Sequence, residues 1–215
     1  LSDHGEMLGE KGLWFKMSFF EGSARVPLMI AAPDVPAGRV ETPVSAIDVA
    51  PTLAALAGIP PAEVSPWTDG ANLVPVAKGE NRGPVAMEYA AEGTITPMVA
   101  LRDGAWKYIR CPADPEQLFD PASDPSETTN LATDPRAGEV LAHFRALADA
   151  RWNLPTFDAQ VRESQARRWV VYEALRAGAY APWDHQPFRP ASERYMRNHM
   201  DLNVLEEQKR FPRGE

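Results

Sequence analysis

Only one of the 215 residues is a cysteine, Cys111. A single thiol excludes an internal disulfide and is the usage expected of a reducing compartment, so a cytoplasmic location is expected. Basic residues are also short: Lys and Arg number 22 against 30 Asp and Glu, for a formal net charge of −8. Nucleic-acid modules carry a basic stripe, which this balance excludes, whereas a soluble enzyme with a cationic substrate fits it. Long apolar runs are missing, none approaching the roughly 20 residues of a membrane-spanning helix, and no signal-like start is present. No nucleic-acid or membrane partner is therefore expected. Internal repeats and low-complexity tracts are absent as well. The length suffices for one core of ordinary size.

What the chain does have is concentrated at its start. Ser2-Asp3-His4-Gly5-Glu6 places a carboxylate beside an imidazole, followed by glycine, and Leu1 reads as the end of a buried strand. A strand end followed by a tight glycine turn is where open α/β sheets hold their ligands. Side chains at such a turn converge on one point, as alternating residues of a strand do not. Asp3 suits a hard cation, and the neighbouring imidazole shifts the preference toward Mn²⁺-like borderline metals. Lys16, twelve residues after His4, is a mobile point charge able to hold an anion. The same residues admit a plainer reading in which Asp3 caps the helix that follows.

Three stretches, Ser2-Asp3-His4-Gly5-Glu6, Lys11-Gly12-Leu13-Trp14-Phe15-Lys16 and Arg25-Val26-Pro27-Leu28, resemble the second metal-binding motif of the sulfatases in the alkaline phosphatase superfamily. The run from Lys11 to Glu21 looks particularly like that of the choline sulfatases. The resemblance implies that Asp3 and His4 hold a divalent metal, Ca²⁺ or Mn²⁺, and that Lys16 contacts the sulfate oxygens, with His4 also guiding protons. It implies choline sulfate as the small-molecule substrate. The family's nucleophile is a formylglycine made from cysteine in a Cys-x-Pro-x-Arg type motif. Cys111-Pro112-Ala113-Asp114-Pro115 lacks both the spacing and the arginine and is expected in a loop. Cys111 is thus an ordinary cysteine, and the nucleophile and other metal carboxylates are expected in an N-terminal part of the same enzyme that is absent here.

Along the chain, Lys16 to Glu21 is expected to form a short helix ended by Gly22. Val26 to Ala32 reads as a buried strand stopped by Pro33 and Pro36, and Arg25 before it either makes a structural ion pair, the favoured reading, or supports the site. Asp48 to Gly58 carries helix marks at both ends, Asp48 as the cap and Gly58 as the left-handed terminus, with Val49, Leu53 and Leu56 on a core face. Residues 59–84 read as surface loop. Strands are expected at residues 86–89, 98–102, 106–109 and 117–120, the second and third joined at Asp103-Gly104. Arg102-Asp103-Gly104, Leu118-Phe119-Asp120 and Asp124 to Ala132 resemble the small C-terminal subdomain of sulfatases. Asp134-Pro135 opens a helix with Val140, Leu141, Phe144 and Leu147 on one face and His143 off it, in solvent. A second helix is expected over residues 156–176, with Val161, Trp169, Val170, Tyr172 and Leu175 as its apolar residues.

The expected fold is α/β: residues 1–84 as the C-terminal part of a sulfatase or alkaline-phosphatase-like core, residues 85–178 as a small antiparallel-sheet-and-helix subdomain, and residues 179–215 as an extended arm. The arm is rich in aromatic residues and proline, as interface segments are, and its end resembles the C-terminal extension of choline sulfatases. That likeness implies a homo-oligomer, dimer or tetramer, with the arm reaching toward the active site. A quaternary ammonium has no N–H to donate and is held by aromatic faces and carboxylates. Glu92 on a connection, and His199 and Asp201 on the arm, are the candidates for that end, and Trp14 is either another or plain core. The alternatives are a phosphonate or phosphate ester hydrolase of the same superfamily, and a non-catalytic assembly fragment if no other chain supplies the nucleophile.

Overall fold

The computed structural model describes residues 1–91 and 93–178. The chain divides into two compact units, Leu1–Ser164 and Gln165–Glu215. The first is built on a four-stranded antiparallel sheet: β1 Val85–Tyr89, β2 Met98–Asp103, β3 Trp106–Cys111 and β4 Asp114–Phe119, in that order. Side-chain alternation splits the sheet cleanly. Leu101, Tyr108 and Leu118 enter one core cluster, and their neighbours Ala100, Ile109 and Phe119 enter another on the opposite face. The β2–β3 hairpin closes with Asp103 opposite Trp106 and Gly104 at φ +49°, as the Asp-Gly pair predicts. β4 starts three residues before the expected 117 and takes in Pro115, which is tolerated because β4 pairs only with β3. Cys111 is the buried last residue of β3, paired in register with Asp114, and not a loop residue as its proline-rich surroundings imply.

The free edge of β4 is covered by residues 130–131. Leu131 N–H donates to Leu118 O at 2.8 Å, and the Asn130 side chain accepts from Leu118 N–H at 3.0 Å while donating to Glu116 O at 3.0 Å. Covering an edge in this way removes a template for unwanted pairing. Asn130→Ala is expected to cost about 1 kcal/mol in urea unfolding, the net worth of a hydrogen-bonding pair partly replaced by water.

One face of the sheet packs against α5, Gly138–Arg151, through Leu141, Phe144 and Ala148, with Val140 and Leu147 at the margin. The expected start is observed: Asp134 accepts from Arg136 N–H at 2.9 Å, and Pro135 opens a one-turn 3-10 helix. His143 is exposed, as expected. The other face is covered from the chain's start. Phe19 joins Ala100, Ile109 and Phe119, and the Phe20 ring meets Phe119 edge-on with centroids 6.0 Å apart. This contact overturns the helix expected over Lys16 to Glu21. Adjacent phenylalanines both reach the sheet from an extended backbone, and the helix, α1, is Glu21–Ala24, beginning where it was expected to end.

Residues 25–32 form no helix, strand or turn, with Val26, Leu28 and Ile30 half-buried and Pro27 and Met29 exposed, and they pair with no strand among the described residues. The period-2 pattern is thus present without the ladder that makes a strand. Arg25 lies 3.7 Å from Glu21, the expected ion pair. Leu1, at the start of this chain, is 61 % exposed.

The helix expected from Asp48 is α2, Val49–Leu56, with Gly58 at φ +76°. Its buried face differs from the expected one: Thr52 is buried, Val49 and Leu56 are half-buried, and Leu53 stands 62 % exposed. Asp48 does not cap α2. Its carboxylate turns back to accept from Ser45 N–H at 2.8 Å and Ala71 N–H at 2.7 Å, and binds Arg82 through two nitrogens at 2.8 Å each. A bidentate guanidinium outcompetes a helix cap because both bonds are charge-assisted. The expected loop of residues 59–84 in fact holds α3, Pro61–Val64, and α4, Leu73–Ala77, the latter buried at Leu73 and Val76 and capped by Asn72. A proline at the head of α3 and a short Leu-Val-x-Val run in α4 were signals hidden by the surrounding Pro, Gly and charge.

The long last helix, α6 Leu154–Ala177, extends two residues beyond the expected start and one beyond the expected end. Its second-unit portion exposes Trp169, Val170, Tyr172 and Leu175. No helix among the described residues is long and apolar enough to cross a membrane. The arm expected at residues 179–215 lies outside the described residues.

Candidate metal and anion site

The first sixteen residues fold back on α1, which holds both ends of the site. Gly5 N–H donates to Ser23 O at 2.8 Å, and Ser23 Oγ donates to Lys16 O at 2.5 Å. Ser23 is 3 % exposed, so this tie is made inside the fold. The approach at Gly5 is too close for any side chain, since a Cβ there would lie 2.1 Å from Gly22 O. Gly5→Ala is expected to cost about 1–3 kcal/mol by overpacking, read by chemical denaturation, and to spread the Asp3–His4 turn away from Lys16.

Between the two ties runs a tight loop in which Leu8, Gly9, Lys11 and Gly12 all have positive φ. Lys11 anchors it, donating to Glu127 O at 2.6 Å and lying 4.7 Å over the Phe20 ring. No helix follows Asp3 directly; the first turn is a 3-10 one at Glu10–Gly12 with Gly9 at its cap position. The capping role open to Asp3 is therefore not taken up.

Asp3, His4 and Lys16 converge. His4 Nε2 is 3.5 Å from Asp3 Oδ2 and 3.2 Å from Lys16 Nζ. His4 Nδ1 is 2.9 Å from Gly5 O, and because a carbonyl only accepts, Nδ1 must carry the proton. In the neutral ring the lone pair then sits on Nε2, on the side of Asp3 and Lys16, which is the tautomer a metal ligand needs. Ser2 Oγ donates to His4 O at 2.9 Å and steadies the same turn. The Asp3 side chain is 86 % exposed. Backbone N–H groups of Asp3 and His4, then the His4 ring and Lys16, hold its carboxyl below the usual carboxylate range, so it stays ionised into acid.

A carboxylate oxygen and an imidazole lone pair side by side are a donor set that Mn²⁺ accepts and that Ca²⁺ accepts in part. They fit a divalent cation as part of its shell. Among the described residues no group of three His, Cys, Asp or Glu comes together that could hold a metal ion. Cys111 lies buried at the end of β3. Trp14 and Phe15 are 66 % and 67 % exposed in this chain. Glu92, His199 and Asp201 lie outside the described residues. The sequence signalled the converging trio but not Ser23, whose tie is visible only once Gly5 and Gly22 are seen as a close crossing.

Residues 9–151 match the family described as N-sulphoglucosamine sulphohydrolase, C-terminal, and residues 159–211 match that described as choline sulfatase enzyme C terminal. The chain belongs to the sulfatase family. Among curated sulfatases it is similar to a choline-sulfatase of Rhizobium meliloti (strain 1021), 64 % identical over all of this chain and 43 % of the relative. It is also similar to human arylsulfatase K, 29 % identical over 95 % of this chain and 42 % of that protein. The chain thus spans less than half the length of these relatives. Among solved structures, a 2-O GAG sulfatase superposes with a TM-score of 0.56 at 26 % identity, over 77 % of this chain and 36 % of that one. A phosphonate monoester hydrolase of Agrobacterium radiobacter superposes with a TM-score of 0.53 at 30 % identity, over 74 % of this chain and 34 % of that one. The α/β fold expected from the opening motif is that of these sulfatases, carried here by the antiparallel sheet and its helices.

Proposed function

We propose that this sulfatase chain supplies part of the active site of a sulfuric ester hydrolase acting on choline sulfate. The convergence of Asp3, His4 and Lys16 within 3.2 and 3.5 Å contacts carries the reading. The 64 % identity to a choline-sulfatase supports the substrate. A sulfate monoester resists attack because its oxygens carry charge and its leaving oxygen is poor, so positioned positive charge is the remedy. Lys16, in this reading, binds the sulfate oxygens. Asp3 and the Nε2 lone pair of His4 hold a divalent metal, Ca²⁺ or Mn²⁺, and His4 steadies its ring on Gly5 O through Nδ1–H. When bound, the cation would polarise the sulfuryl oxygens, and a formylglycine from an N-terminal part of the enzyme would supply the nucleophilic oxygen.

Three segments fit this role: residues 1–84 as part of the catalytic core, 85–178 as the small subdomain, and 179–215 as an arm in a cytoplasmic homo-oligomer. The exposure of Met29 at 84 % and Leu53 at 62 %, with Met29 in a run that pairs with no strand among the described residues, is what a face covered by further chain would present. Glu92, His199 and Asp201 remain the proposed holders of the choline group. The likeness to a phosphonate monoester hydrolase favours a second reading, cleavage of phosphonate or phosphate esters at the same turn. Hydrolysis of choline sulfate, an aryl sulfate and a phosphonate monoester by the full-length protein separates the two. The highest kcat/KM is expected with choline sulfate, and a preference for the phosphonate ester would install the second reading.

A further inference from the structure

We infer that Lys107 and Glu127, both in the sheet region and remote from the site in sequence, are positioning residues for the Asp3–His4–Lys16 site, acting on it through α1. The inference rests on the site reading above.

Lys107 is 1 % exposed, a lysine in a place usually given to an apolar residue. It lies on the sheet face that Phe19 covers, and three oxygens surround its ammonium group. Nζ is 2.5 Å from Glu21 Oε1, 2.8 Å from Glu127 Oε1 and 2.9 Å from Phe19 O, to which it donates. The Glu127 Oε1 contact is an ion pair set off the hydrogen-bonding direction, since that oxygen has no aligned donor. Its second oxygen is used elsewhere: Glu127 Oε2 accepts from Glu21 N–H at 2.7 Å. Glu127 is itself 2 % exposed and held at φ +51°, a backbone state that a glutamate adopts only when its surroundings impose it.

Apart from the Lys107–Glu127 pair itself, these contacts fall on Glu21, the first residue of α1, or on Phe19 just before it. From there the site is two bonds away. Glu21 opens α1, and Ser23 within α1 ties Gly5 N–H on one side and the Lys16 carbonyl on the other. Glu127 reaches the site loop by a second route as well, since its carbonyl accepts from Lys11 Nζ at 2.6 Å. A four-residue helix has little stability of its own. Its placement therefore depends on the buried lysine and carboxylate that grip its start. A site must be held to within about 0.5 Å by supporting contacts to bind metal and substrate productively, and this clamp is the support the structure provides. Arg102 and Lys107 are cross-strand neighbours, and Glu21, Asp120, Glu127 and Arg25 all lie near enough to Arg102 to act on its charge, so the clamp is set among three cations and three anions.

The test uses the full-length protein. Variants Glu127→Gln and Glu21→Gln each remove one charge of the clamp, the second at a side chain 18 % exposed and so the gentler of the two. Leu118→Ala is the control, opening the core on the opposite face of the same sheet. Hydrogen exchange of residues 2–24 and the Mn²⁺ dissociation constant of the metal-free protein are measured beside choline sulfate turnover. Both clamp variants are expected to speed exchange at residues 2–24 and to weaken Mn²⁺ about tenfold, the scale of a lost supporting contact. Leu118→Ala is expected to do neither, although it lowers global stability. Unchanged exchange at residues 2–24 in folded Glu127→Gln and Glu21→Gln overturns the inference whatever the activity does. Faster exchange with Mn²⁺ binding and turnover both unchanged instead overturns the site reading, and the positioning role falls with it.

Discussion

Lys16→Ala in the full-length enzyme is expected to lower kcat/KM for choline sulfate by about 10²–10³, the usual loss when one donor to a developing charge is removed. The ammonium lies 3.2 Å from His4 Nε2, on the exposed side of the turn, and it is the basic group that the fold brings to the Asp3–His4 pair. The backbone of Lys16 stays tied through its carbonyl to Ser23, so the variant keeps its fold and its thermal midpoint. The loss is expected mainly in kcat, because charge builds on the leaving oxygen and sulfuryl group as the bond breaks. Lys16→Arg restores only part of the rate: a planar fork does not reproduce a compact point charge on a mobile stem. An alanine variant that turns over choline sulfate at the wild-type rate would remove Lys16 from the mechanism.

The second large effect is on stability. Arg82→Met is expected to destabilise the chain by about 3 kcal/mol, toward the lower end of the cost of orphaning a buried ion, because Asp48 is fully covered but at shallow depth. Asp48 has four donors from three places, Ser45 N–H, Ala71 N–H and two Arg82 nitrogens, and so it pins the start of α2 to residues 71 and 82. Burial disfavours its ionised form, but the Arg82 bonds, then the Ala71 and Ser45 N–H groups, outweigh that and hold the carboxyl below its ordinary value. A carboxyl lowered in the fold contributes stability above its unfolded pKa of about 4 and loses it as pH falls through the folded value. Urea midpoints of the wild type should therefore fall below about pH 4. Those of Arg82→Met should start lower and fall less over the same range. Parallel pH profiles for the two proteins would show that Asp48 carries none of the acid sensitivity.

The parts of this fold that were legible in the sequence are those whose signal is local. Asp103-Gly104 announces a hairpin, Asp134-Pro135 a helix start, and Asp3-His4 with Lys16 a converging set, and each is found where the residues place it. What was illegible depends on partners distant in sequence. Lys16 to Glu21 has a helix's apolar side, yet Phe19 and Phe20 are drawn out against Phe119, about a hundred residues on. Asp48 has the position of a helix cap, yet Arg82 takes its carboxylate. Residues 25–32 have a strand's alternation, but alternation specifies a face and not a neighbour. The clamp at Lys107 was hidden for the same reason: Trp106 to Ile109 reads as a strand, and only Glu21 and Glu127, from either side in sequence, make its lysine an interior residue.

In the proposed site Asp3 and His4 hold the metal beside a sulfate-binding lysine. Crystals of the full-length protein soaked in Mn²⁺ and measured at the manganese absorption edge test it most directly. An anomalous peak is expected within coordination distance, about 2.0–2.6 Å, of both an Asp3 carboxylate oxygen and His4 Nε2. A peak elsewhere with the Asp3–His4 turn empty, or His4 bound through Nδ1 with its hydrogen bond to Gly5 broken, would contradict the account.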